Sequence, residues 1–474
     1  MPPLASSTAV PARPHLSGSS PLSATLRNAE DRSERVLVIG AGTSGLAMGK
    51  ALRDAGITYD CVEREPDLGG NWNIRLNVSS VCESTHLISS KKLTEYPDHP
   101  MPESWPEYPS QGLVLEYLRS YAERFGLRES IEFGVGVRHA QPLDPHGWLV
   151  ELDDGRLRRY GAIAIANGHN WDPAWPDFPG EFSGLALHSS QYKSPDLLQG
   201  RRVLVVGGGN SGCDLAVESA QHAATTRLSL RRGYHFLPKF FHGTPIDICG
   251  ERLLHARVPL AVRRALAHAM VFFLLGTRRG TGLPRPDHRL FETHPTINSQ
   301  LYYALRHGDL AIRPNIEQLE GDHVRFVDGS VEPFDVILYA TGFRLSFPFL
   351  DSKHLNWCGD SATGRPELYL NVFSPMRDDL FVLGMIQPDS GQWGLVDLQS
   401  QLVARTLLAQ REGSRCYERF VDRKQRTSGS ASISYLATPR HRLEVEHFSY
   451  RRLLRRELRR LGKAPHRVSQ TSIV

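Results

Sequence analysis

Two uninterrupted apolar runs, Val36 to Ile39 and Val203 to Val206, each end at a glycine cluster and lead into an alternating apolar and polar stretch. That order predicts strand, tight turn and helix. In the first unit the pattern gives a strand over Arg35–Ile39, a helix over Ser44–Ala55 and a strand over Thr58–Glu63. The second repeats it with a strand over Arg202–Val206, a helix from Ser211 to about Ala220 and a strand over Thr226–Arg231. Two parallel βαβ units, about one domain apart, make the predicted fold class α/β with two Rossmann-like domains. Two further strand-like runs end in glycine turns, Ala164 to Gly168 and Asp335 to Phe343, and both read as crossings between the domains. The second unit is then an insertion in a split first domain. The expected limits are a disordered tail over 1–33, the first domain over 34–170 and 336–425, the insertion over 171–335, and a basic helix and tail over 426–474.

The glycines give the turns their chemistry. The first reads Gly40-Ala41-Gly42-Thr43-Ser44-Gly45 and the second Gly207-Gly208-Gly209-Asn210-Ser211-Gly212. In such a turn the first glycine allows the sharp bend, the second admits a pyrophosphate against the backbone, and the third lets helix and strand pack closely. The helix N-terminus then faces the phosphates with its partial positive charge, next to Asn210 and Ser211 in the second copy. A lone GxGxxG is weak evidence. Strand before and helix after, twice over, make it credible. Glu63 lies 23 residues after Gly40, where an acidic side chain meets a ribose hydroxyl pair. The second unit has Arg231-Arg232 at that place, which would repel nothing on a 2′-phosphate and can grip it in bidentate fashion. At about 1.5–3 kcal/mol for a charged hydrogen bond, that is roughly a 10- to 150-fold preference for the phosphorylated cofactor. The first site is expected to hold FAD and the second NADPH.

Composition narrows the setting. The chain has 474 residues and a formal charge of +5, which argues against a dedicated nucleic-acid binder. Its six cysteines form no CxxC pair, so neither a disulfide framework nor flavin-to-disulfide electron transfer is expected; a reducing cytoplasm fits. The 20 histidines show no clustered ligand spacing, and no metal centre is expected. The longest apolar stretch, Val258 to Leu275, contains Arg263, Arg264 and His268. Each central arginine costs roughly 2.5–3.5 kcal/mol on insertion, so this is read as an amphipathic helix on the body or on a membrane surface, not a span. Arg442 to Leu461 reads as a second, strongly basic amphipathic helix docked by its apolar stripe, with a peripheral membrane contact or a lid as the alternatives.

Several segments together resemble the flavin-containing monooxygenases, the class B flavoprotein monooxygenases. Phe182-Ser183-Gly184-Leu185-Ala186-Leu187-His188-Ser189-Ser190-Gln191-Tyr192-Lys193 is similar to the family's FxGxxxHxxx(Y/F) signature. Gly69-Gly70-Asn71-Trp72 is similar to its GG-x-W flavin segment, and Ala340-Thr341-Gly342-Phe343 to its late ATG-(Y/F) turn. The resemblance implies that Gly70, Trp72, Thr341 and Gly342 serve cofactor binding and that His188 is a structural or NADP-positioning residue. It also implies a cycle: NADPH reduces FAD, the flavin takes up O2 as a C4a-(hydro)peroxyflavin, and one oxygen atom passes to a small organic substrate. Where many members carry an Asn that donates a hydrogen bond near that oxygen, this chain has Ile88; His86, Ser89 or Ser90 are the candidate substitutes. Pro295 to Ser299 is similar to a segment near the nicotinamide and substrate entrance, which makes Asn298 a candidate catalytic residue beside His86 and Ser89. N- or S-oxygenation is the leading expectation, since Tyr192 ends the signature where dedicated Baeyer–Villiger enzymes commonly carry Trp. Baeyer–Villiger oxidation, auxin-type oxidative decarboxylation and a non-catalytic flavin- and nucleotide-binding sensor remain as alternatives.

Overall fold

The structure is a computed structural model that describes residues 28–293, 295–358, 364–426 and 443–462. Val36 to Ile39 are buried because the strand Glu30–Ile39 lies inside a sheet, between Tyr59–Glu63 and Leu157–Ile165, parallel to both. Ile131–Phe133 continues the sheet beside Tyr59–Glu63. Leu157–Ile165 is shared along its other edge. Its first half pairs antiparallel with Trp148–Leu152, and its last residues pair parallel with Leu380–Val382, from far along the chain. The helix Thr43–Asp54 packs against the long helix Trp393–Arg411, and the two contribute to one core.

The predicted tail reached residue 33, but Glu30 to Arg32 already pair with Arg158 to Tyr160. Polar sequence hid this ladder, because ion pairs across it replace apolar contacts: Arg158 reaches Glu30 at 3.1 Å and Arg159 reaches Asp31 at 2.6 Å. The rest of the expected tail, residues 1–27, lies outside the described residues.

The second sheet is all parallel, in the order Leu310–Arg313, Thr225–Ser229, Arg202–Val206, Val336–Tyr339, Leu185–His188. The boundary drawn after residue 335 therefore falls one strand early. Val336 to Tyr339 are buried between two strands of the insertion, in register with Val203 to Val206, so the chain returns to the first unit only after Ala340.

The C-terminal helix His447–Arg460 rests on Trp393–Arg411, with Tyr450, Leu454 and Leu458 buried in the core of the first unit. Burying each leucine is worth about 1.5–3 kcal/mol. Gln399 donates to the Tyr450 hydroxyl at 2.8 Å, and that hydroxyl donates to the Leu370 carbonyl. The other apolar stretch, Val258 to Leu275, becomes the helix Leu260–Leu275, preceded by a separate helix Ile246–His255. Of these two, Leu260–Leu275 is the one the sequence pattern foresaw. It buries only Leu275 fully and leaves Phe273 80% exposed. No helix among the described residues is long and apolar enough to cross a membrane.

Candidate functional site

Both glycine turns open on one cavity of about 1430 Å³. Single-ligand pockets are typically about 300–1,000 Å³, so this space is large enough for more than one ligand. The two turns are built alike. Gly40 has φ +104° and Gly207 φ +120°; a Cβ would meet the Ala166 carbonyl oxygen at 2.8 Å in the first and the Ala340 carbonyl oxygen at 2.4 Å in the second. Gly45 and Gly212 close the motifs: a Cβ on either would sit 1.8 and 2.0 Å from the carbonyl oxygens of Gly40 and Gly207. Gly42 differs. Its Cβ would meet nothing nearer than the Gly70 Cα at 3.8 Å, so the middle glycine faces free space at the mouth of the helix Thr43–Asp54. Gly209 precedes the helix Asn210–His222 with nearly the same extended backbone.

Glu63 lines the cavity at the end of its strand. Its Oε2 accepts from the Ala41 N–H at 2.7 Å and its Oε1 from the Glu65 N–H at 3.0 Å. Burial raises its proton affinity, and those two N–H groups oppose the rise. Each oxygen keeps a lone pair for a further donor. Across the cavity stand Arg231, exposed, and Arg232, half-buried with its guanidinium 5.7 Å from the Tyr234 ring. No ion pair reaches Arg231 among the described residues, which leaves its planar donors facing the space.

His86, Ile88, Ser89 and Trp72 line the same cavity. Trp72 meets Trp393 edge-on at 6.3 Å, and Trp393 is stacked against Tyr96 and Tyr117. The protons of His86 and Ser89 are already committed. His86 Nδ1 lies 2.8 Å from the Ser84 carbonyl, which only accepts, so in the neutral ring Nδ1 carries the hydrogen and Nε2 is bare. Thr94 donates its hydroxyl to the Ser90 carbonyl at 2.8 Å; the Ser89 hydroxyl, 2.8 Å from Thr94 Oγ1, must therefore donate to it. Neither group offers a spare proton in this arrangement. Ser90 turns inward, its N–H donating to Asp247 at 2.7 Å.

Asn298 is not on the cavity wall. It is 3% exposed, its Nδ2 donates to Asp214 Oδ1 at 2.7 Å, and its Oδ1 accepts from the Leu301 N–H at 2.8 Å. Both ends of the amide are thus used by the protein, and the expected catalytic placement is corrected to a positioning one. The residue it positions, Asp214, does line the cavity. Asp214 is solvent-accessible within the cavity, and the protein crowded around it raises its carboxyl, opposed by Lys239 and by the Asn298 bond. Sequence reasoning passed over Asp214, although it stands in the second motif's own helix. The neighbouring residues of the segment also hold the turn: the Ile297 N–H donates to Asn210 Oδ1 at 2.8 Å, and the Thr296 hydroxyl donates to the Gly208 carbonyl at 3.0 Å.

His188 is fully buried beneath the crossing. Its Nε2 lies 3.0 Å from the Gly342 carbonyl and its Nδ1 accepts from the Ser190 N–H at 3.2 Å, which fixes the neutral ring with hydrogen on Nε2. Burial lowers its proton affinity. His188 pins the crossing and does not reach the cavity, whereas Thr341, Gly342, Gly70, Asn210 and Ser211 do. Thr341 is oriented by donating to the Ala174 carbonyl at 2.7 Å.

The residues present fit two dinucleotides: two glycine mouths at helix N-termini, an acid at one and arginines at the other. Comparison with known proteins gives the same picture. The family model for FMO-like proteins, flavin-binding monooxygenase-like, matches residues 33–418. Flavin-containing monooxygenase 5 of Oryctolagus cuniculus is 32% identical over 78% of this chain and 72% of its own length. Dimethylaniline monooxygenase [N-oxide-forming] 2 of Rattus norvegicus is 32% identical over 78% and 73%. Among solved structures, S-allyl-L-cysteine S-oxygenase from Allium sativum superposes with a TM-score of 0.62 at 20% identity, covering 91% of this chain and 89% of that one. Cyclohexanone monooxygenase bound to epsilon-caprolactone superposes with a TM-score of 0.64 at 19% identity, covering 90% and 98%. These two likenesses are of fold.

Proposed function

This chain belongs to the flavin-binding monooxygenase-like family, whose members are enzymes that use FAD and NADPH, and from that premise we propose that it oxygenates a nitrogen or sulfur atom of a small organic molecule. NADPH supplies two electrons, one atom of O2 goes to the substrate and the other leaves as water. FAD, when bound, supplies the electron storage and the activation of O2.

The chain's own residues hold and orient. In this reading Gly40, Gly42 and Gly45 seat the FAD pyrophosphate and Glu63 accepts from its ribose. Gly207, Gly209 and Gly212 seat that of NADPH, and Arg231 with Arg232 grips the 2′-phosphate. Trp72 and Trp393, packed edge-on, give the cavity lining an apolar surface.

The observation that carries the choice of substrate is the committed hydrogen bonding of His86 and Ser89. A thioether or a tertiary amine brings its own reactive lone pair and asks no proton of either side chain. The 32% identity to a relative named as N-oxide-forming supports the same reading. Incubation of purified protein with NADPH, O2 and a thioether, a tertiary amine or a cyclic ketone tests it. Sulfoxide and N-oxide are the expected products. Lactone without sulfoxide would replace the proposal with Baeyer–Villiger oxidation, and no NADPH consumption beyond a single reduction of the flavin would replace it with a non-catalytic binder.

A further inference from the structure

The C-terminal helix His447–Arg460 spends its apolar stripe on the core, and cations crowd its opposite side. Arg452, Arg455, Arg456 and Arg459 fall at spacings of three, one and three, which place them together over two helical turns. With Ser449, and with Arg405 from the helix Trp393–Arg411 on the other bank, they line an open groove of about 900 Å³.

The counter-charges lie elsewhere. Glu457 is 1% exposed, and its carboxylate is taken by Arg460 at 2.7 Å and Arg423 at 2.9 Å, with Arg456 no nearer than 3.8 Å. Glu446 accepts from the Phe448 and Ser449 N–H groups and caps its own helix. Among the described residues no ion pair reaches Arg405, Arg452, Arg455 or Arg459; Arg405 donates to the carbonyls of Leu458 and Gly462 at 3.3 and 3.2 Å. The adjoining sequence brings no remedy, because residues 427–442 and 463–474 contain neither Asp nor Glu and add Arg440, Arg442, Lys463 and Arg467. Burial lowers the proton affinity of Arg405 and Arg455, and Arg451 and Arg459 lower that of Arg455 further. Since a guanidinium does not give up its proton in a protein, such crowding is relieved by an anion.

We propose that this groove is a binding site for a polyanion carrying at least two phosphate groups, gripped in bidentate fashion by Arg452, Arg456 and Arg459, with Arg405 closing the opposite bank. One phosphate is too small to satisfy the stripe: at 1.5 Å rise per residue, Arg452 and Arg459 start about 10 Å apart along the helix. The ligand is met in water, because Leu454 and Leu458 are already buried and leave this helix no apolar face to insert in a bilayer. Two sources offer that chemistry, a soluble polyphosphate and the headgroups of an anionic phospholipid surface.

The test uses full-length FAD-loaded protein with saturating NADP⁺, so that the nucleotide cleft does not take up the probe. Tripolyphosphate is titrated calorimetrically, and phosphatidylglycerol vesicles are co-sedimented, both at low ionic strength where screening is weak. Wild type is compared with Arg452→Glu/Arg459→Glu, two exposed positions whose reversal leaves the core intact, as checked by flavin absorbance and melting temperature. Tripolyphosphate binding that weakens about tenfold or more in the variant supports a soluble ligand. Vesicle binding lost in the variant, without tripolyphosphate binding, supports headgroups. Failure of wild type to bind either probe, or equal binding by the variant, overturns the proposal.

Discussion

Asn298 holds Asp214 through a single 2.7 Å hydrogen bond, and in doing so turns a buried amide into the support of a carboxylate that faces the cavity. The same amide caps the following helix through the Leu301 N–H. Replacing Asn298 with Leu keeps the volume and removes both bonds, so unfolding free energy in urea is expected to fall by about 1–3 kcal/mol. The Asp214 carboxylate loses its fixed direction at the same time. A variant of unchanged stability that turns over more slowly would instead place Asn298 against the reacting molecules.

Gly42 and Gly45 are three residues apart and answer to different constraints. Gly45→Ala drives a Cβ to within 1.8 Å of the Gly40 carbonyl oxygen and is expected to fail to fold or to melt many degrees lower. Gly42→Val points into free space and is expected to fold, yet emerge colourless, because the valine occupies the path of the pyrophosphate. Circular dichroism reports the folding and absorbance near 450 nm, about the usual oxidised flavin maximum, reports the cofactor. A yellow Gly42→Val protein would remove the first turn from the flavin seat.

Among the described residues no ion pair engages Arg231, which lines the cavity. Arg231→Ala is expected to raise the KM for NADPH by about tenfold or more while leaving that for NADH unchanged, since only the former carries a 2′-phosphate. Steady-state kinetics with both cofactors measure the split. Equal losses would mean that the arginine meets some other part of the nucleotide.

Two buried groups give stability opposite slopes with pH. Burial pushes His447 down to about 4, so its folded form resists protonation; its contribution is complete above about 6.5 and drains away as pH falls toward 4. Burial, and next the charge of Asp98, push Asp397 up to about 6, so its contribution is complete below about 4 and is lost as pH rises toward 6. Relative to wild type, His447→Gln is expected to gain stability as pH falls from 6.5 to 4, and Asp397→Asn to gain it as pH rises from 4 to 6. Each slope reaches at most about 1.4 kcal/mol per pH unit. Denaturant curves across this range measure both, and a variant that tracks wild type in parallel would remove its residue from the account.

What the sequence disclosed and what it hid divide along the reach of the forces involved. The glycine turns were legible because a positive φ at Gly40 or a carbonyl 1.8 Å from a Cβ at Gly45 is a demand made by near neighbours. Glu63 and Arg231 were found by their spacing from those turns, and both line the cavity. The place of Val336 to Tyr339 was not legible, since its neighbours in the sheet are Val203 to Val206 and Leu185 to His188, more than a hundred residues away. His188 was left open between a structural and an NADP-positioning role because its partner, the Gly342 carbonyl, is likewise remote. Asn298 was placed among the chemical groups for want of any sequence sign that its two ends were taken.

The divided edge of Leu157–Ile165 orders the birth of the molecule. The inserted unit owns all five parallel strands of its sheet once residue 339 has been made, whereas the enclosing unit waits for Leu380–Val382 to complete its main sheet. On the ribosome, the guest domain is therefore complete before its host.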